Sequence, residues 1–183
     1  MKKIPTIFER DWNGDRSRVL DKQHPDCAWV FAGEGLPMRK YDGTSCLIDN
    51  GFWKRREIKG GQPVPAEFQI AGTDDETGKT VGWMPVGGGP EDRWHNEAWN
   101  ALSVKAPGTY ELLGPRVQGN PEGLSSHELV KHSSAQSFGG VPTDYVGLAA
   151  WLAQHDIEGL VWHHPDGRMA KIKKRDFGLK RKL

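Results

Sequence analysis

Four short stretches of the chain hold residues that could act on a phosphate: KYDGT at 40–44, YELLG at 110–114, IEGLVW at 157–162 and KIK at 171–173. Lys40 stands just before a strand, so its side chain projects from a fixed position. A lysine attacks phosphorus only as the neutral amine, and an ordinary pKa of about 10.4 leaves under about one per cent neutral at pH 7. Partial burial and nearby cations raise that fraction. Gly43 lets the backbone turn into the strand. Asp42 either orients Lys40 or a metal-bound water, or caps its own turn. Lys171 and Lys173 are two apart on a strand and so point to one face, which is either a phosphate clamp or a basic strand facing solvent. Glu111 interrupts the apolar run TYELL, and a carboxylate there faces either solvent or a site, since Glu is rarely buried unpaired. Each stretch alone would recur by chance; their order and strand placement make the set specific.

The elements that must carry these residues read as follows. Residues 1–36 are irregular, with turn signals at Asn13-Gly14 and His24-Pro25. TSCLID and FWKRRE flank Asn50-Gly51 and predict a hairpin over 44–57. Residues 58–90 are rich in Gly, Pro and acids, with one short strand in VGWMPV. Pro90 precedes a helix over EDRWHNEAWNAL, its acids in the first turn where the helix dipole favours them. Strands follow at 109–113 and 128–132. Thr143 or Asp144 caps a helix with Tyr145, Leu148, Ala149 and Leu152 on its apolar side. IEGLVWHH, a Pro165-Asp166-Gly167 turn and RMAKIKK form the last hairpin. Irregular alternation with two good helices predicts an α+β fold with mainly antiparallel sheets.

Composition narrows the function classes. The 183 residues suit one domain, and 25 basic against 24 acidic residues give a net charge of +1, which excludes binding nucleic acid by bulk charge alone. Cys27 and Cys46 lack the partners of a structural zinc site and read as reduced, partly buried thiols. The N-terminus has no apolar segment behind its lysines, and no stretch reaches about 18 apolar residues, so the expectation is a cytoplasmic protein without a membrane span. Gly72-TDDET-Gly78-Lys79-Thr80 nearly matches a P-loop. It carries five residues between the glycines where four are needed, and its acids would repel phosphate.

Taken together, the four stretches resemble motifs I, III, IV and V of the covalent nucleotidyltransferase superfamily of ATP-dependent ligases and capping enzymes. GWMPV at 82–86, RWH at 93–95, GNPEGL at 119–124 and EGLVWHHPDG at 158–167 narrow the resemblance to the small RNA ligase 1 family of ATP-dependent 5′-to-3′ RNA ligases, over about residues 40–179. The resemblance implies a nucleotidyltransferase (adenylation) domain of two packed, mainly antiparallel sheets with flanking helices. It implies a lysyl-AMP intermediate at Lys40, transfer of AMP to an RNA 5′-phosphate, and attack by a 3′-hydroxyl. Arg55 would contact phosphate, Glu111 the ribose hydroxyls or a metal, and Glu158 would hold Mg2+ or Mn2+. His132 or Phe138 would stack on adenine or pack in the core, and His95 is a further candidate for the nucleotide groove.

Two departures matter. Many ligases place Glu two residues before the motif I lysine, where this chain has Met38, so base selection by that side chain is in doubt. The chain ends ten residues after Lys173, so the expectation is a single minimal domain over 1–183 without an OB domain, working as a monomer. Its basic end, with Lys180, Arg181 and Lys182, would follow an RNA backbone or fray in solvent. A DNA or mixed-strand ligase and a non-catalytic nucleic-acid-binding module are the alternatives. The joint presence of Lys40, Glu158, Lys171 and Lys173 speaks against the last.

Overall fold

The computed structural model describes residues 4–74 and 77–181, which leaves Asp75 and Glu76 of the rejected P-loop and Lys182 of the tail outside the described residues. Two compact units emerge. One holds residues 4–41 together with the segment from 135 onward, and the other holds residues 42–134. The first unit begins with β1 (Phe8–Arg10) and β2 (Val19–Gln23), which pair antiparallel, then α1 (Ala28–Phe31) and β3 (Leu36–Lys40). The second carries β4 (Thr44–Ile48), β5 (Phe52–Ile58), β6 (Gln69–Asp74), β7 (Lys79–Pro85), α2 (Arg93–Ala101), β8 (Gly108–Leu113) and β9 (Glu128–Lys131). The chain then returns to the first unit with α3 (Tyr145–Gln154), β10 (Gly159–His163) and β11 (Met169–Lys173).

In the second unit one antiparallel sheet runs β6-β7-β5-β4-β8-β9. The hairpin of β4 and β5 forms where expected, with Asn50 in the left-handed region at φ 45°. Alternation sorts the sheet into two faces. Cys46, Ile48, Tyr110, Leu112 and Leu129 take one face and pack with Ala98 of α2. Lys54 is in register with Cys46 and so shares that face. There it reaches the buried carboxylate of Asp92 at 2.5 Å, whose other oxygen accepts the Gly87 N–H at 2.7 Å. That ion pair ties the glycine-rich loop to the start of α2.

In the first unit β11-β10-β3 form a three-stranded antiparallel sheet. Leu160, Trp162, Ala170 and Ile172 face a core with Ile7, Phe8, Trp29, Leu148 and Leu152. Of the two candidate caps for α3, Asp144 fills the role, accepting the Gly147 N–H at 2.8 Å. Residues 5–7 run along the outer edge of β11: Lys171 N–H donates to Pro5 O at 2.9 Å and Ile7 N–H to Lys171 O at 3.0 Å.

The mixed α and β, antiparallel expectation holds in outline, with three corrections. Among the described residues there are three sheets, of two, three and six strands, where two were expected. The N-terminal region read as irregular holds β1, β2 and α1, because short strands such as VLDKQ carry little apolar alternation. Residues 58–90 hold a full hairpin, β6 with β7, rather than one short strand.

Candidate active site

Lys40, the last residue of β3, pairs with Gly159 of β10, which pairs in turn with Lys173 of β11. Residues in one register row share a face, so both lysines project from the face opposite the core. A Cβ on Gly159 would overlap the Ile172 carbonyl oxygen, so only glycine lets β11 approach this closely. With no side chain between them, the two lysines converge on Glu158. Its Oε2 accepts Lys40 Nζ at 2.5 Å and its Oε1 lies 2.6 Å from Lys173 Nζ. Lys40 also donates to Tyr41 O at 3.2 Å. Burial pushes the Glu158 carboxyl up, but the charges and hydrogen bonds of Lys40 and Lys173 outweigh it and hold the group below the usual carboxylate range.

Lys171 lies on the same face, in register with Val161 and Met38. Among the described residues its ammonium has neither a hydrogen-bond nor an ion-pair partner. Burial first, then the charges of Lys173 and Lys40, bring it down to about 8.

In the other unit Glu111 pairs with Ser45 on one side and Val130 on the other, on the face away from α2. It is buried, and its Oε2 lies 2.8 Å from Nε2 of His132, just beyond β9. Alternation from the Lys54–Cys46 pair puts Arg55 on this face as well. Burial lowers the Arg55 guanidinium, against the nearby charges of Glu57 and Glu111, and the group lies 6.0 Å from the Trp83 ring centre. Ser45 Oγ, in the same region, is buried without a hydrogen-bond partner among the described residues. The Asp42-Gly43 turn is clamped from two sides. Asp42 N–H donates to Glu122 Oε1 at 3.2 Å, and Gln118 Nε2 donates to Gly43 O at 3.5 Å. A Cβ on Gly43 would collide with Leu112 O and with Leu113 and Glu111.

The structure places the remaining sequence candidates as follows. His95 sits on α2 beside Asp92, with its Nδ1 3.6 Å from Oδ1, so it lies on the face of Lys54 and not with Glu111 and His132. The ring of Phe138 is packed edge-on against Trp151 and His155, which is the core-packing alternative. Arg181 is not a free tail charge, since its Nε lies 3.3 Å from Asp156 Oδ1. The expected metal ligands do not fit that role as they stand. Both oxygens of Glu158 hold ammonium groups, one oxygen of Glu111 holds His132, and among the described residues no three of His, Cys, Asp or Glu gather to hold an ion. Glu122 falls within GNPEGL, but no local pattern shows that it meets the Asp42 backbone.

Comparison with known proteins finds similarity to an RNA ligase family. Residues 99–182 match the RNA ligase 1 family model. That stretch takes in Glu111, His132, Glu158, Lys171 and Lys173. The chain is also similar to RNA ligase 1 of Danio rerio, 30% identical over 165 residues, covering 70% of this chain and 48% of the relative. RNA ligase 1 of Mus musculus is 29% identical over 159 residues, with 69% and 46% covered. The chain spans about half the length of the curated RNA ligase 1 relatives it matches.

Proposed function

We propose that this chain is an ATP-dependent RNA ligase of the nucleotidyltransferase type, acting through a covalent AMP on Lys40. The convergence of Lys40 and Lys173 on the two oxygens of Glu158 carries the reading, supported by the similarity to RNA ligase 1. In the resting arrangement Glu158 holds the Lys40 ammonium 2.5 Å away and can accept its proton. Two cations on that carboxylate make it a poor base. Phosphate charge arriving at this face competes for Lys173 and Lys171, relieves Glu158 of one cation, and favours proton transfer from Lys40. The freed amine attacks the α-phosphorus of ATP: a P–N bond forms, the bond to pyrophosphate breaks, and Lys173 and Lys171 offset the charge that develops. AMP then passes to an RNA 5′-phosphate, and a 3′-hydroxyl displaces it to close the strand. Glu111 and Arg55 serve ribose and phosphate recognition on this reading. Mg2+ or Mn2+, held mainly by the nucleotide phosphates, would offset part of their charge.

The test is incubation with ATP and a divalent cation, followed by denaturing mass analysis and peptide mapping. Wild type should carry AMP on Lys40, while Lys40→Ala and Lys40→Arg should carry none, because an arginine is not deprotonated near neutral pH. AMP on a different lysine in Lys40→Ala would show the assignment to be wrong.

A further inference from the structure

Asp176 is completely buried, although it stands in the most basic stretch of the chain, KIKKRDFGLKRKL. Two contacts hold it there. Its Oδ2 accepts the backbone N–H of Lys173 at 2.8 Å, and its Oδ1 takes Arg10 Nη2 from β1 at 3.1 Å. It belongs to the short 3-10 helix Lys174–Phe177 that directly follows β11. The strand therefore ends on a fixed carboxylate, directly behind one of the two ammonium groups that grip Glu158.

We propose that Asp176 is a positioning residue, which fixes Lys173 against Glu158 and supplies the second negative charge that the face of Lys40, Lys171 and Lys173 requires. The proposal rests on the adenylation reading above. Three ammonium groups share this face and Glu158 engages two of them. Lys171 is left facing Lys173 on its own strand, Lys40 from β3 and Arg10 from β1, all cations, with the uncharged Val161 and Met38 beside it in register. Asp176 is the attractive charge that acts on it. A carboxylate is kept fully buried only where it is paired, and here the pairing partners are the backbone of one site lysine and an arginine from another element. Asp176 touches no reacting atom; it acts through Lys173 and Lys171.

The charge role predicts opposite shifts from two variants. Asp176→Asn keeps an acceptor for the Lys173 N–H but removes the charge. Arg10→Gln removes a repelling cation and leaves the carboxylate. Lys171 is a cation below its pKa, so a lower pKa makes it lose its charge at a lower pH. In Asp176→Asn the Lys171 side chain, followed through its 13Cε resonance in the nucleotide-free protein, should titrate about one pH unit lower. The alkaline limb of adenylation should move down with it. In Arg10→Gln both should move up. Thermal denaturation of both variants identifies which are folded, and either one decides by direction. A Lys171 titration and an alkaline limb that stay put in the folded variants would overturn the proposal. If wild type accepts no AMP while the Lys171 titration moves as stated, the adenylation reading fails and the charge assignment stands.

Discussion

Glu158 holds two cations that stand on strands two apart, with glycine between them, so its charge decides whether they gather or separate. Glu158→Gln keeps the shape but leaves both ammonium groups without a countercharge. Transfer of labelled AMP from ATP to Lys40 should fall by about a hundredfold or more, the scale of losing one preorganised charge at a reacting centre. Thermal denaturation run alongside would show whether the variant is folded, and a wild-type rate in a folded Glu158→Gln protein would sink the role. At this scale the sequence is informative where spacing alone fixes direction: Lys171 and Lys173, two apart on a strand, do share a face. It is silent where partners come from far along the chain. No local pattern says that residue 158 will meet residue 40, or that Arg10 will meet Asp176, because strand pairing over more than a hundred residues brings them together.

Elements are legible where the turn chemistry is strong. Asn50-Gly51 and Pro165-Asp166-Gly167 place both hairpins that carry motif residues, since such turns restrict the chain before any packing occurs. β3 escapes such a reading because LPMRK holds a proline and two cations, and its strand character comes from pairing with β10. The helix expected from residue 91 begins as a 3-10 turn, Pro90–Asp92, and becomes α-helical at Arg93. The reason is Asp92, whose side chain is spent on Lys54 and Gly87 rather than on capping. This junction makes stability depend on pH. His95 is half-buried, and both its ring nitrogens are buried with no hydrogen-bond partner among the described residues; burial lowers its pKa from 6.5, Asp92 opposes that and Lys54 adds to it. A histidine depressed in the folded state binds its proton more readily when unfolded, so stability is full above pH 6.5 and declines as pH falls below it. His95→Leu should flatten that acid-side decline in urea melts taken across the range. An unchanged slope would place the titration elsewhere.

For the whole molecule, a net charge of +1 means that on the proposed reading any attraction to RNA would come from local clusters, and the C-terminal segment is the densest. The structure divides that segment unequally. Phe177 and Leu179 pack against the hydrophobic core, Lys174 is buried, and Arg181 meets Asp156, while Lys180 is exposed. Asp156 is itself 60% exposed, so its pair with Arg181 contributes no more than about 1 kcal/mol and weakens with salt. Removing residues 180–183 should therefore leave Lys40 adenylation within about twofold, because among the described residues the core packing ends at Leu179 and such a pair is worth little. Joining of a nicked RNA duplex should weaken instead, and the salt dependence of RNA binding should become shallower by roughly one unit of slope for each phosphate that is no longer neutralised. Lys173→Ala gives the opposite pattern, with adenylation impaired before any RNA is added. ATP labelling and RNA joining measured on both variants separate the two. If the truncation blocks adenylation as severely as Lys173→Ala, residues 180–183 act on the lysine face itself and the division at Leu179 is wrong.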